Sequence, residues 1–472
     1  MSIRLALPKG RLLGETADLL QRAGCGLSGY REGARYYHFQ SRNMPGLKAR
    51  LFHEKDIPIQ VAIGNYDLGI CGLDWLEELL IKYPSSALVK VKNLGYGEGS
   101  LYVATSRAKT APAIEELQVR TDTIRIASEY PNLAESFAVN LRLRRFSVFP
   151  LWGAAEAYPP DTADLALIPA KAETELLDYT LVPVSNILHF SAFLIANRNS
   201  WETNNMCDIL ASLEDKLPKA QQPSVSAEIT SVAKTADKYH YEKATEDMIR
   251  IALPDGHQQL PTVNLLNKAG IQVDDYPSEV KNRRPTTNLA GVMIKVIRPQ
   301  DMPLQVANEN FDLAITGKDW LKEHLYQFPS SPVTELVNLK LGKVKIVAVV
   351  SKALCVESIH ALRQLYAERM VSIRVASEYI NIADKYARDN HLGVYKVIPT
   401  WGASEAFLPG DADLLIENTE TGRTITRHNL KIIDTLFEST ACLIGNTNLR
   451  NSGKGAKIKS IAETIRVAME GA

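Results

Sequence analysis

No run of about 18 apolar residues occurs anywhere in the 472-residue chain, so nothing in it suits a membrane-spanning helix. The opening, Met1-Ser2-Ile3-Arg4-Leu5-Ala6-Leu7-Pro8, has neither the long apolar core nor the cleavage site of a secretory leader. It runs straight into a strand pattern, which predicts a cytoplasmic protein. The five cysteines (Cys25, Cys71, Cys207, Cys355, Cys442) are scattered, odd in number and without a C-x-x-C pair, which disfavours a disulfide framework and a zinc site. The nine histidines form no H-E-x-x-H or comparable cluster, so no protein-held metal is expected. Charge of either sign is also not in excess: 54 basic and 54 acidic residues give a formal net charge of +0. That balance gives no general attraction to nucleic acid or anionic membrane, and any basic site must be local.

What is present is enough apolar residue, 45% of the chain, for two to four well-buried domains. The dominant pattern is an internal repeat. Ile3-Arg4-Leu5-Ala6-Leu7-Pro8-Lys9-Gly10 returns as Ile249-Arg250-Ile251-Ala252-Leu253-Pro254-Asp255-Gly256. Asp67-Leu68-Gly69-Ile70-Cys71-Gly72-Leu73-Asp74-Trp75 returns as Asp312-Leu313-Ala314-Ile315-Thr316-Gly317-Lys318-Asp319-Trp320. Ile126-Ala127-Ser128-Glu129-Tyr130 matches Val375-Ala376-Ser377-Glu378-Tyr379, and Trp152-Gly153-Ala154 matches Trp401-Gly402-Ala403. The offset stays between 245 and 249 residues, so the chain is read as two homologous halves.

The halves are expected at 1–216 and 248–472, with a polar tether at 217–247. Short β-branched runs alternate with helical patterns such as Leu12 to Ala23, which predicts α/β lobes with helices on both faces of a sheet. Leu101–Ala104 and Ile346–Val350 read as strands leaving a first lobe; Phe190–Ala196 and Ser439–Gly445 read as the return. Each half is therefore expected to have two lobes with a cleft between them. The boundaries are lobe I at 1–103 and 182–216 with lobe II at 104–181, then lobe I at 248–348 and 430–472 with lobe II at 349–429. Ligands of such folds sit at the carboxyl ends of the strands.

One stretch carries a chemical signature. Leu414-Leu415-Ile416 leads to Glu417, then Asn418-Thr419-Glu420, then Thr421-Gly422-Arg423-Thr424, the pattern of a strand, a tight loop and a helix start. Gly422 permits a close backbone turn, Thr421 and Thr424 offer hydroxyls, and Glu417 is placed to accept from a diol. The reading is a phosphate cradle; the bland alternative is a well-capped helix start.

Together, Ala6-Leu7-Pro8-Lys9-Gly10-Arg11-Leu12, Asp56-Ile57-Pro58 followed by Asp67-Leu68-Gly69-Ile70, Ile126-Ala127-Ser128-Glu129-Tyr130-Pro131-Asn132 and the Glu417–Thr424 loop resemble ATP phosphoribosyltransferase in its short form. That form has two catalytic lobes and no regulatory lobe. The resemblance covers nearly the whole chain, twice. It implies the first step of histidine synthesis: N1 of the ATP adenine attacks C1 of phosphoribosyl pyrophosphate and releases pyrophosphate, with Mg2+ on the leaving group. It also implies a histidyl-tRNA-synthetase-like regulatory subunit as a partner. Two-lobed periplasmic solute-binding proteins share the hinge-and-cleft architecture and supply one alternative; a catalytically dead scaffold or regulator supplies another.

The halves are unequally preserved. At the positions of Glu417, Thr421, Gly422, Arg423 and Thr424, the first half has Ile168, Ala172, Glu173, Thr174 and Glu175, which repel a phosphate. Where the first half has Lys9 and Arg11, the second has Asp255 and His257; Arg298 of the second half aligns with His53. The losses are complementary. They predict halves packed as an internal pseudo-dimer with one composite site per chain, Lys9, Arg11 and Arg298 facing the leaving pyrophosphate and the Glu417–Thr424 loop holding the ribose phosphate. Arg31 and Arg35 either touch ATP phosphates or form a solvated face, and Asp312 either lines the cleft or caps a helix.

Overall fold

A computed structural model describes residues 2–33, 36–107, 114–217, 247–278, 282–448 and 453–470. The expected tether falls almost wholly outside these residues, as does Arg35. Two compact units emerge. The first comprises the first half without Pro150–Tyr158; the second comprises the second half together with Pro150–Tyr158.

In the first unit, one lobe is a six-stranded sheet ordered His38–Gln40, Leu47–His53, Ile3–Lys9, Leu68–Gly72, Ala192–Asn197, Leu88–Asn93. Ile3–Lys9 runs parallel to both neighbours, and Leu5, Ala6 and Leu7 are buried on both faces, as parallel strands require. Helix Leu13–Arg22 covers it with Leu13, Thr16, Leu19 and Leu20, each apolar side chain contributing about 1.5–3 kcal/mol by burial. The other lobe is a five-stranded sheet ordered Leu181–Phe190, Gly99–Ser106, Leu165–Ala170, Ile124–Ser128, Phe146–Pro150.

The second unit repeats the plan. One sheet is ordered Val292–Ile297, Ile249–Pro254, Leu313–Gly317, Ala441–Asn446, Val333–Asn338, and the other Tyr395–Pro399, Ile373–Ser377, Leu414–Thr419, Val344–Ser351, Leu430–Ser439. Each half is thus a two-lobed α/β structure, as the alternating pattern predicts. The lobe boundaries differ from those expected. Gly99–Ser106 pairs antiparallel with Leu181–Phe190 inside the second lobe, and Val344–Ser351 pairs with Leu430–Ser439 in the same way. The crossings therefore lie before Gly99 and near Ser191, and before Val344 and near Thr440, not at 103, 182, 348 and 430. The sequence conceals this because a long buried strand looks the same whichever sheet it joins. The physical break is the turn at Gly95 and Gly97, both at positive φ; a Cβ on Gly97 would fall 2.3 Å from Leu12 Cδ2.

Within each half the lobes are latched by equivalent groups. The Glu78 carboxylate, on helix Leu73–Lys82, accepts from the amides of Asn132 and Leu133 (both 2.9 Å), capping helix Pro131–Asn140 of the other lobe. Glu323 does the same for Asn381 (2.8 Å) and Ile382 (2.9 Å). Trp75 stacks on Tyr130 at 4.1 Å and Trp320 on Tyr379 at 4.4 Å. The tyrosine hydroxyls donate to Asp74 (2.8 Å) and Asp319 (2.6 Å).

Candidate active site

In the second unit, strand Leu414–Thr419 ends at the loop and the five-residue helix Arg423–Arg427 follows. Gly422 is left-handed at φ 72°, and its amide donates to Thr419 Oγ1 at 2.9 Å, which closes the turn. Thr421, Arg423 and Thr424 are exposed, and among the described residues their side chains have no hydrogen-bond or ion-pair partner. Glu417 lies where the strand ends. Its Oε1 accepts from the Asn418 amide at 2.9 Å, and burial, then the charges of Glu378 and Glu405, push its carboxyl pKa well up.

Between the lobes of this unit is a cavity of about 260 Å³, at the carboxyl ends of the strands. Arg298, His257, Trp320, Tyr379 and Glu378 line it. Two amide oxygens, Gln258 Oε1 and Gln300 Oε1, are buried at its wall with no hydrogen-bond partner, a penalty that a ligand N–H or O–H removes. Arg298 is 43% exposed and pairs with Asp255 at 3.1 Å; Asp255 also holds Arg283 at 3.0 Å. Asp255, expected only to reverse a charge, is thus itself neutralised by two arginines.

The first unit answers each feature with its opposite. Ile168 is buried in strand Leu165–Ala170, and helix Glu173–Asp178 begins after Ala172. Glu175 Oε2 accepts from the Lys171 amide at 2.8 Å, so a carboxylate of the loop already occupies one of the loop's own donors. A hollow of about 330 Å³ nearby sets Glu15, Glu98 and Glu175 against Arg11 and Lys171.

Arg11 is not an unengaged cation. Its Nε donates to Glu54 at 3.0 Å, its Nη2 donates to both oxygens of Asp74 (2.8 and 2.7 Å), and its guanidinium lies 4.8 Å from the centre of the Phe190 ring. Burial pushes the Glu54 carboxyl up to about 7 despite Arg11, whose attraction Asp74 shares. His53 is held down at about 4, by burial first and then by Lys55, Lys9 and Arg11. Lys55 lies 4.5 Å from the Trp75 ring centre and pairs with Glu129 at 3.5 Å. In the second half, His257 and Gln300 stand in place of Arg11 and Lys55, and Ser439 in place of Phe190; there Asp319 accepts from Ser439 Oγ at 2.9 Å. The cleft that the first half fills with its own cations is open in the second. Lys9, exposed at the end of its strand, lies 5.7 Å from the Tyr37 ring centre and has no ion pair among the described residues.

Asp312 does not line the cleft. It precedes strand Leu313–Gly317, at the opposite end from the site, where it accepts from the Arg250 amide at 2.7 Å and from Lys454 at 3.3 Å. It is 1% exposed and structural. Arg31 is exposed on a surface hollow beside helix Leu13–Arg22. Glu378, Glu405, Gln258 and Gln300 escape a reading of the sequence: glutamines carry no signature, and Glu378 has a counterpart, Glu129, that pairs with a lysine.

The sequence profile of the ATP phosphoribosyltransferase family matches residues 53–217 and again residues 298–467. The ATP phosphoribosyltransferase of Saccharolobus solfataricus is 32% identical over 223 residues, spanning 47% of this chain and 72% of that protein. That of Sulfolobus acidocaldarius is 31% identical over 223 residues, spanning 47% and 73%. Among solved structures, a chain of the ATP phosphoribosyl transferase (HisG:HisZ) complex from Thermotoga maritima is similar with a TM-score of 0.39 and 21% identity, covering 48% of this chain and 100% of that one.

Proposed function

The chain belongs to the ATP phosphoribosyltransferase family, enzymes of histidine biosynthesis, and from that premise we propose that it works as a doubled enzyme with one productive site. The reaction joins N1 of the ATP adenine to C1 of phosphoribosyl pyrophosphate and releases pyrophosphate. The observation that carries the single site is the contrast between the loops: Thr421, Arg423 and Thr424 are unengaged, whereas Glu175 occupies the Lys171 amide.

Thr421 to Thr424 hold the 5-phosphate, and Glu417 accepts from the ribose diol. Displacement at C1 places negative charge on the departing pyrophosphate, so preorganised cations there are the largest electrostatic contribution, one donor being worth ~10²–10³ in rate. Lys9 supplies a point charge. Arg298 supplies a planar fork once an anion competes with Asp255. Arg11, expected in the same role, is instead assigned to holding Glu54 and Asp74 in place. Adenine N1 carries its own lone pair, so no strong base is needed, and alignment of the two substrates contributes several kcal/mol.

Among the described residues no group of three or more His, Cys, Asp or Glu is arranged to hold a metal ion. Mg2+, which the family resemblance implies, would arrive with phosphoribosyl pyrophosphate and would supply charge neutralisation on the leaving group. The regulatory-subunit partner and a cytoplasmic location extend the family resemblance; no described helix is long and apolar enough to cross a membrane.

Calorimetric titration with phosphoribosyl pyrophosphate is expected to give one site per chain. Lys9→Ala and Thr421→Ala, made separately, are each expected to lower kcat/KM by ~10²-fold or more. Full turnover in either variant overturns the sharing of one reaction between the halves; no binding at all favours a dead scaffold.

A further inference from the structure

Pro150–Tyr158 comes from the first half of the sequence but belongs to the second compact unit. It is fixed there along its length. The Trp152 amide donates to both oxygens of Asp301, at 3.0 and 3.2 Å. Arg283 Nε donates to Glu156 at 2.8 Å, Arg284 Nη2 to the Ala157 carbonyl at 3.3 Å, and the buried Lys295 ammonium to the Tyr158 carbonyl at 3.2 Å. The Trp152 ring lies against Trp320 (5.7 Å between centroids) and Trp401 (6.4 Å). Trp320 walls the cavity of the second unit.

We propose that this strap is a positioning element for the anion-binding side of that cavity, acting chiefly through Gly153 on Arg298. A Cβ on Gly153 would sit 2.8 Å from Arg298 Nε and 3.5 Å from its Cγ and Cζ. The absent side chain is therefore the space in which the guanidinium stem lies. Strap and arginine are also joined through charge: Glu156 holds Arg283, Arg283 holds Asp255, and Asp255 holds Arg298. Arg298 can swing away from an added Cβ, so the clash is relieved by displacing the guanidinium, while the backbone at φ 159° bears a separate cost in stability. The ligand concerned is a di- or pyrophosphate group, which ties the inference to the function proposed above. It explains one reason for keeping the first half in the chain: the second unit takes part of its frame from the first half's sequence.

The test is a double-mutant cycle in the full-length chain, reading kcat/KM for phosphoribosyl pyrophosphate together with the melting temperature. Gly153→Ala is expected to lower kcat/KM, measured per folded molecule, by on the order of 10²-fold, the usual cost of a misplacement of about 1 Å, with a drop in melting temperature from the strained backbone that persists in the Arg298→Ala background. Trp152→Ala, which loosens the strap without adding an atom near Arg298, is expected to cause a smaller loss. In an Arg298→Ala background neither change is expected to lower kcat/KM further. Wild-type rates in Gly153→Ala, or losses that multiply onto Arg298→Ala, overturn the inference while leaving the enzyme reading intact. An inactive wild-type chain that binds no phosphoribosyl pyrophosphate overturns the enzyme reading itself. If Gly153→Ala fails to fold, Trp152→Ala decides: independence from Arg298 overturns the inference.

Discussion

The loops at Ile168–Glu175 and Glu417–Thr424 end corresponding strands of corresponding lobes, but one is occupied from within and the other open. In the first, Glu175 accepts from the Lys171 amide and Ile168 is buried. In the second, Gly422 makes the tight turn and three polar side chains face solvent. One strand–turn–helix frame thus carries two loops of opposite character, and, on the function proposed above, a phosphate site can be lost without disturbing its fold. A carboxylate on the loop takes over a donor, and an apolar residue replaces a diol acceptor. The clefts show the same economy in reverse, since Arg11 and Lys55 fill the first and their replacements leave the second open.

The largest way to break the contrast is Gly422→Glu, which imports the residue aligned with it, Glu173. It adds a carboxylate beside the phosphate and forces a side chain onto φ 72°. Phosphoribosyl pyrophosphate binding, followed by calorimetry, is expected to disappear, with turnover down by ~10³-fold or more. Retained binding would move the phosphate site elsewhere.

A finer test uses pH. The Glu417 carboxyl is raised by burial and by Glu378 and Glu405, so the native state holds a proton that the unfolded chain releases. Its contribution to stability is complete below the ordinary glutamate value and falls as pH rises toward the raised one. Glu417→Gln is expected to flatten that decline in a series of melting temperatures against pH. It is also expected to raise KM for phosphoribosyl pyrophosphate above the raised pKa, where the wild-type carboxylate accepts fully. Parallel pH profiles for the two proteins would remove Glu417 from its acidic surroundings.

The smallest expected effect on activity is Asp312→Ala. It leaves the Arg250 amide and Lys454 without their buried acceptor and is expected to cost about 3 kcal/mol in stability. Measured per folded molecule, kcat/KM should not change. A loss of activity without loss of stability would return Asp312 to the cleft.

Much of this was legible from the residues alone. The duplication, the two-lobed plan of each half and the strand–turn–helix at Glu417–Thr424 follow from repeated motifs and alternating periodicity. The lobe crossings are hidden because the apolar cores Leu101–Ala104 and Ile346–Val350 look the same whichever sheet they join, and the bends are marked only by positive-φ residues just ahead of them, Gly95 and Gly97 in one half and Lys340 and Gly342 in the other. Cation assignments fared unevenly for an electrostatic reason. Sequence counts charges but not their partners, so Arg11 and Arg298 looked equivalent to Lys9, while Glu54, Asp74 and Asp255 hold them. The strap at Pro150–Tyr158 shows in the sequence only as the Trp152-Gly153-Ala154 repeat of Trp401-Gly402-Ala403; its contacts are with residues more than a hundred positions away.

The latches at Glu78 and Glu323 carry a mechanical consequence. Each ties a helix end of one lobe to a helix of the other through two amides, so neither half has the loose hinge of a wide clamshell. The first half's jaws stay bolted whatever its loop has become, because Glu78 and the Trp75–Tyr130 stack lie apart from the Ile168–Glu175 loop and hold without it.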